Sequence, residues 1–320
     1  AMLTHIFAAA GKKFTAHIGG SDSSFTNFYY GGKDFFITEA CEYKKNFLLL
    51  KPDNAIILNS GADHLECYGS ERALTEAYIR FADSADVAIS LYRDLPLNFG
   101  HSFGYDKSAD YFAKNIQSTG GAYSFTAFEG ASKLGEISLN VYGKHNVLNA
   151  IAATAAARSA GIQFEFIKDG LTSFTGVERR FENIGNLNGA ACIADYAHHP
   201  EELRAVIRTA KKICSEKLYV IFQPHTYSRT KNLFPQFVKV LAPLNNLLIF
   251  KTFAAREYFD DSGSALTLSQ SVKKSRYGDD VRDIAEFISK ACEGDVVLFL
   301  GAGDIYFIAK NLIKNLSARP

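Results

Sequence analysis

The chain has 320 residues, 47% apolar and 22% charged; that excludes disorder, collagen and coiled coil as the main architecture and, at about 150 residues per domain, predicts two domains. Lys+Arg 35 against Asp+Glu 34 leaves a formal charge of +1, so no basic field points to nucleic acid or an anionic membrane. Cys41, Cys67, Cys192, Cys214 and Cys292 are widely spaced with no C-x-x-C pair, which argues against a disulfide framework or zinc ribbon and fits a reducing cytoplasm.

In chain order, residues 2–10 predict a helix stopped by Gly11. They lack a basic flank and a cleavage pattern, so they do not read as a signal peptide. No apolar run reaches the roughly 18 residues needed to span a bilayer. Short strands are expected at 34–38 (DFFIT), 54–59 (NAIILN) and 87–92 (VAISLY). Residues 110–141 are Gly/Ser-rich with alternating aromatics (AYSFTAF) and predict an antiparallel hairpin patch. The alanine-rich run 146–160 predicts a helix ended by Gly161. Then come strands at 191–196, 218–223, 247–252 and 296–300, with an amphipathic helix over 201–213 opened by Pro200. Strands alternating with helices predict an α/β fold with mostly parallel sheets. The boundary is expected near Ser173, dividing the chain into 1–173 and 174–320.

Ligands of open parallel sheets bind beyond the carboxyl ends of the strands. Five predicted strand ends carry chemistry: Glu39-Ala40-Cys41-Glu42, Ser60-Gly61-Ala62-Asp63-His64, Tyr196-Ala197-His198-His199, Pro224-His225-Thr226-Tyr227-Ser228-Arg229, and Gly301-Ala302-Gly303-Asp304. Each has a plainer reading: solvated acids, an Asp cap at a helix start, a loop leading into a helix, a surface cation, a glycine turn. Read functionally, Glu39 and His64 suit a divalent ion. Two protein ligands fit Mg²⁺, which keeps water and takes phosphate oxygens, and are too few for structural zinc. Arg180, His198, His225 and Arg229 supply donors for anionic oxygens.

Taken together, EACE (39–42), ADH (62–64), GKHNVLNAIAA (143–153), GVERRFE (176–182), DYAHHPEE (195–202), FQPHTYSRT (222–230) and GAGDI (301–305) resemble the Mur ligase family, in family order along nearly the whole chain. FQPH and GAGD favour the branch that adds alanine to UDP-N-acetylmuramate in peptidoglycan synthesis. The resemblance implies a central P-loop-type ligase domain followed by a C-terminal Rossmann-like α/β domain. It implies ATP and Mg²⁺ as cofactors, UDP-N-acetylmuramate and L-alanine as small-molecule substrates, and a cytoplasmic location. Glu39 and His64 resemble the metal ligands. His145, Asn146 and Asn149 resemble the H-N-x-x-N motif at the ATP base, Arg180 the arginine that reaches the phosphates, and Asp195 the acid that meets the ribose. Tyr196, His198, His225 and Arg229 resemble residues of the carboxylate and amino-acid pocket, with His198 and Arg229 closest to the chemistry.

The family also uses a phosphate loop, G-x-x-x-x-G-K-[ST]. Gly11-Lys12, Gly32-Lys33 and Gly143-Lys144 each fail that pattern. In the family the loop directly precedes the helix that here opens the chain, and the sole methionine, Met2, follows Ala1. The expectation is a truncated ligase, inactive or nearly so alone, because one donor to a developing charge is worth about 2.7–4 kcal/mol. The alternative is a non-catalytic two-domain binding or interaction remnant.

Overall fold

The computed structural model describes residues 1–61, 65–97 and 99–317. They fall into two units, Ala1–Val177 and Glu178–Pro320. The first opens with α1 (Met2–Ala9) and a small sheet of β1 (Phe14–Asp22), β2 (Thr26–Tyr30) and β3 (Phe35–Thr38). Its order is β2-β1-β3, with β2 antiparallel and β3 parallel to β1. Next come β4 (Asn54–Ile57), α2 (Leu65–Tyr68), α3 (Glu71–Asp83), β5 (Val87–Leu91) and β6 (His101–Gly104). The unit continues through β7 (Tyr111–Thr119), β8 (Ala122–Glu129), β9 (Ser132–Tyr142), α4 (His145–Ser159) and α5 (Phe164–Ser173).

Strands β4 to β9 make a six-stranded sheet in chain order, parallel from β4 to β7 and antiparallel from β7 to β9. The antiparallel part is the hairpin patch expected over 110–141. Successive residues of β5 face opposite sides. Ile89 joins the core of α1, α4 and α5, while Ala88 joins that of α3 with Leu74, Ala77 and Phe81. Helix α4 is buried along Ala150–Ala157, which is why its composition is apolar all round instead of striped. Helices α1 and α5 meet backbone to backbone. A Cβ on Gly170 would stand 2.4 Å from Ile6 Cα.

The second unit holds β10 (Glu182–Leu187), β11 (Ala190–Asp195), α6 (Pro200–Ile213), β12 (Leu218–Phe222), α7 (Tyr227–Asn232) and α8 (Phe234–Leu241). It ends with β13 (Asn246–Phe250), α9 (Ala265–Gln270), β14 (Ser275–Gly278), α10 (Val281–Ile288), β15 (Val296–Leu300) and α11 (Ile305–Ser317). The sheet order is β10-β11-β15-β12-β13-β14, and only the β10–β11 pair is antiparallel. Helices α6, α8 and α9 cover one face with Leu203, Ile207, Phe237 and Leu268. Helices α10 and α11 cover the other with Ile284, Ile288, Ile305 and Leu312. Being covered twice, β15 is buried at every residue, the pattern of a central parallel strand. Both units bear out the α/β, mostly parallel fold class. Among the described residues, no helix is long and apolar enough to cross a membrane.

Strand β3 is the strand expected at 34–38, whereas β1, β2 and α3 were not among the expected elements. β1 alternates only from Phe14 to Ile18 before Gly19 and Gly20 interrupt it, and β2 leaves Phe28 and Tyr30 exposed, so the period-2 signal is short in one and absent from the other.

Candidate active site

In the second unit, β11, β15 and β12 are parallel neighbours, so the loops after their carboxyl ends gather at one edge of the sheet. Tyr196 and His198 leave β11, and His225 leaves β12 and precedes Arg229 on α7. The structure brings these four into one cluster. The His198 ring lies 5.2 Å from Tyr196 and 5.9 Å from His225 between centroids. Arg229 Nη1 lies 3.0 Å from His225 Nδ1 and 3.2 Å from the His225 carbonyl. A guanidinium only donates, so Nδ1 of His225 is an unprotonated acceptor. Burial, the Arg229 charge and His198 all hold the His225 pKa below the usual histidine value, in agreement with that bond. Phe253, beyond β13, stacks on the same ring at 5.5 Å.

His198 is oriented by its own loop. Its Nδ1 lies 2.9 Å from the Tyr196 carbonyl, which only accepts, so Nδ1 carries a proton and Nε2 is left as the basic nitrogen. The amides of His198 and His199 both donate to Glu202 Oε2, at 2.9 and 3.0 Å. Glu202 closes a capping box at the start of α6. Burial pushes its carboxyl up, but these bonds and the two histidines outweigh it, and the net shift is down.

Asp195, the last residue of β11, braces a turn. Its Oδ2 accepts from Phe181 N and its Oδ1 from Ala197 N, both at 2.8 Å. Burial pushes its pKa up to about 6 against those two bonds and the Arg180 charge. The braced turn holds Arg179 and Phe181 at φ 61 and 50, a left-handed conformation that costs a non-glycine residue about 1–2 kcal/mol. Between them Arg180 is exposed. The Arg179 guanidinium lies over Tyr306 and Phe307 of α11, 4.6 and 4.8 Å from the ring centroids.

In the first unit, Glu39 follows β3 and is exposed. Its Oε2 accepts from Gly19 N at 3.0 Å, and a Cβ at Gly19 would fall 2.4 Å from Oε1. A side chain at position 19 would push the carboxylate off this backbone. An exposed carboxylate with one oxygen anchored is an arrangement a hard cation can use. His64, the expected second ligand, lies outside the described residues. At the start of α4, Asn149 Nδ2 donates to Asn146 Oδ1 at 3.1 Å and Asn146 Nδ2 to the Tyr142 carbonyl at 2.8 Å. Gly143, at φ +98, leaves room for the His145 ring, which a Cβ there would meet at 2.6 Å.

Two arrangements escaped the sequence. Gln223, 1% exposed, bridges the β12 and β15 loops, donating from Nε2 to Asp304 Oδ1 at 2.7 Å and accepting from Ile305 N at 3.0 Å. His5 of α1 pairs with Asp22 at 3.0 Å inside the first unit. Burial raises the Asp22 carboxyl, while His5 and the Ser24 and Phe25 amides lower it, and the balance is a lowered pKa. The Gln223 bridge had one sequence signal, the FQPH stretch that contains it. The His5–Asp22 pair had none, since its partners are 17 residues apart with no motif around them.

Residues 2–157 match the Mur ligase middle domain, and residues 179–303 match the glutamate ligase domain of Mur ligases. The chain belongs to the Mur ligase family. Among its relatives, the UDP-N-acetylmuramate–L-alanine ligase of Clostridium acetobutylicum is 37% identical over 331 residues, covering 98% of this chain and 72% of the relative. The enzyme of the same name from Clostridium beijerinckii is 35% identical over 332 residues, with the same coverage. The crystal structure of UDP-N-acetylmuramate–alanine ligase from Thermotoga maritima superposes with a TM-score of 0.81 at 27% identity, over 99% of this chain and 72% of that one. The MurF ligase of Thermotoga maritima, solved in complex with ADP, shares the fold at a TM-score of 0.68 and 18% identity, over 98% of this chain and 76% of that one.

Proposed function

We propose that this chain carries the two domains of a cytoplasmic, ATP-dependent ligase that joins L-alanine to the carboxylate of UDP-N-acetylmuramate for peptidoglycan synthesis. The observation that carries the reading is the 35% identity over 98% of the chain to an enzyme of that name. The cluster of Tyr196, His198, His225 and Arg229 supports it.

The reaction has two steps. A carboxylate oxygen of the sugar acid attacks the γ-phosphorus of ATP, and ADP leaves, giving an acyl phosphate. The alanine amine then attacks the acyl carbon, phosphate leaves, and the amine gives up a proton. In the first domain, 1–173, His145, Asn146 and Asn149 face the nucleotide base. Mg²⁺, held by Glu39 and His64, would offset the charge of the phosphate oxygens. In the second, 174–320, Arg180 meets phosphate and Asp195 offers its remaining lone pairs to the ribose. Arg229 grips a carboxylate, and Tyr196 and His225 line the amino-acid pocket. Nε2 of His198 takes the amine proton.

The phosphate-loop pattern is not among the 320 residues, and we propose that the chain alone turns over little or not at all. The test places a segment ending in a G-x-x-x-x-G-K-[ST] phosphate loop ahead of Met2 and measures ADP release. ADP release that requires both UDP-N-acetylmuramate and L-alanine is the expected result. A folded fusion that binds ATP yet releases no ADP would overturn the reading in favour of a binding remnant.

A further inference from the structure

The polar pair inside the first unit is an odd way to gain stability. Burying two ionisable side chains costs about as much as their attraction returns, and an apolar pair of the same shape would fill the space. What the pair does is anchor a stretch of chain. Strand β1 follows β3 as far as His17, opposite Thr38, and follows β2 as far as His17, opposite Phe28. The ladder with β2 resumes only at Asp22, opposite Thr26. The stretch 18–21 therefore has no rungs of its own, yet it carries the Gly19 N–H that holds Glu39 Oε2 at 3.0 Å.

The far end of that stretch is fixed by Asp22, 1% exposed. Its Oδ2 lies 3.0 Å from His5 Nε2, and its Oδ1 accepts from the Ser24 and Phe25 amides at 2.8 and 3.3 Å. Its backbone bridges to Val177, whose Cγ1 would lie 2.3 Å from a Cβ on Gly20. His5 is itself immobilised. Its Nδ1 lies 3.1 Å from Ser173 Oγ, which gives its proton to the Gly170 carbonyl at 2.9 Å. Its ring meets Phe25 and Phe174 edge-on at 5.1 and 5.4 Å. Three elements, α1, α5 and the β1–β2 turn, thus meet at one imidazole.

We propose that His5 and Asp22 are positioning residues for Glu39, holding the 18–21 stretch so that the Gly19 N–H fixes one carboxylate oxygen and leaves the other for a divalent cation. The inference rests on the reading of Glu39 as an ion ligand.

The test uses the ¹⁵N-labelled chain and two readouts, the Gly19 amide resonance and the dissociation constant for Mn²⁺. Glu39→Gln removes the charged acceptor, which shifts the Gly19 amide and weakens Mn²⁺ binding. Asp22→Asn and His5→Gln should move the Gly19 amide in the same direction and weaken Mn²⁺ about tenfold, the scale of losing a group that orients a metal ligand. Asp22→Glu should restore part of both. If Glu39→Gln weakens Mn²⁺ but the Asp22 and His5 variants leave the amide and the affinity unchanged, the positioning role is overturned. If those variants move the amide while Glu39→Gln leaves Mn²⁺ binding as it was, positioning stands and the ion-ligand reading fails. Ser173→Ala removes only the His5 Nδ1 acceptor and covers the case in which the buried variants unfold. It should move the Gly19 amide by a smaller amount in the same direction, and an unmoved amide counts against the proposal.

Discussion

Gln223 and Asp304 join the loops of two adjacent strands through a 2.7 Å bond from Nε2 to Oδ1. The same amide accepts from the first backbone N–H of α11, so one buried side chain sets both the β12 exit and the start of the last helix. Gln223→Ala would leave the Ile305 amide without its acceptor. The expected cost is about 1–3 kcal/mol, seen as a lower urea midpoint for the second unit. Gln223→Glu should be worse than its volume suggests, because it sets two carboxylates side by side.

His225 should titrate below the usual histidine value, since burial comes first and the Arg229 charge second among the causes that lower it. Replacing Arg229 with Ala removes the second cause and leaves the first. The His225 pKa should therefore rise without reaching the solvent value, as followed by its ring carbon-bound proton in an NMR titration. An unchanged titration would mean that the 3.0 Å contact has no electrostatic weight.

Asp195, with its carboxyl pushed up to about 6, sets a pH dependence of definite sign. The folded state binds this proton more tightly than the unfolded chain, where an Asp titrates near 3.9. The stabilisation is complete below about 4 and lost as pH rises through about 6. Thermal unfolding of the second unit should show this fall in midpoint, and Asp195→Asn, which cannot titrate, should flatten it. A carboxyl ¹³C titration with a midpoint near 4 would refute the account.

Gly170→Ala tests the α1–α5 contact. Alanine favours a helix over glycine by about 1 kcal/mol, but its Cβ would stand 2.4 Å from Ile6 Cα and 2.6 Å from Ile6 N. Backbone does not yield as a side-chain tip does, and overpacking costs about 1–3 kcal/mol. The first unit should be destabilised on balance, measured as a lower urea midpoint.

How far the sequence could be read follows from which signals are local. The buried parallel strands were legible because they are uninterrupted apolar runs, and α4 because alanine and Gly161 mark its body and its stop. The strand-end positions of His198, His225 and Arg229 were legible because strand ends are fixed by the runs before them. Hidden was everything set by packing between distant segments: the carboxylate of Glu39 resting on Gly19, the brace from Asp195 to Phe181, and His5 meeting Asp22. The sequence assigned Asp195 to a ligand alone, and the structure shows that its two oxygens already hold the backbone of its own unit.

The placement of β15 between β11 and β12 has a consequence for biosynthesis. The strand at the centre of the second sheet leaves the ribosome after every other strand of that sheet, so β11 and β12 have no common neighbour until β15 has been translated. The first unit ends at Val177 and is translated before any strand of the second. The second must wait with apolar strands exposed, and a nascent chain released before Val296 would be a substrate for chaperones or proteases.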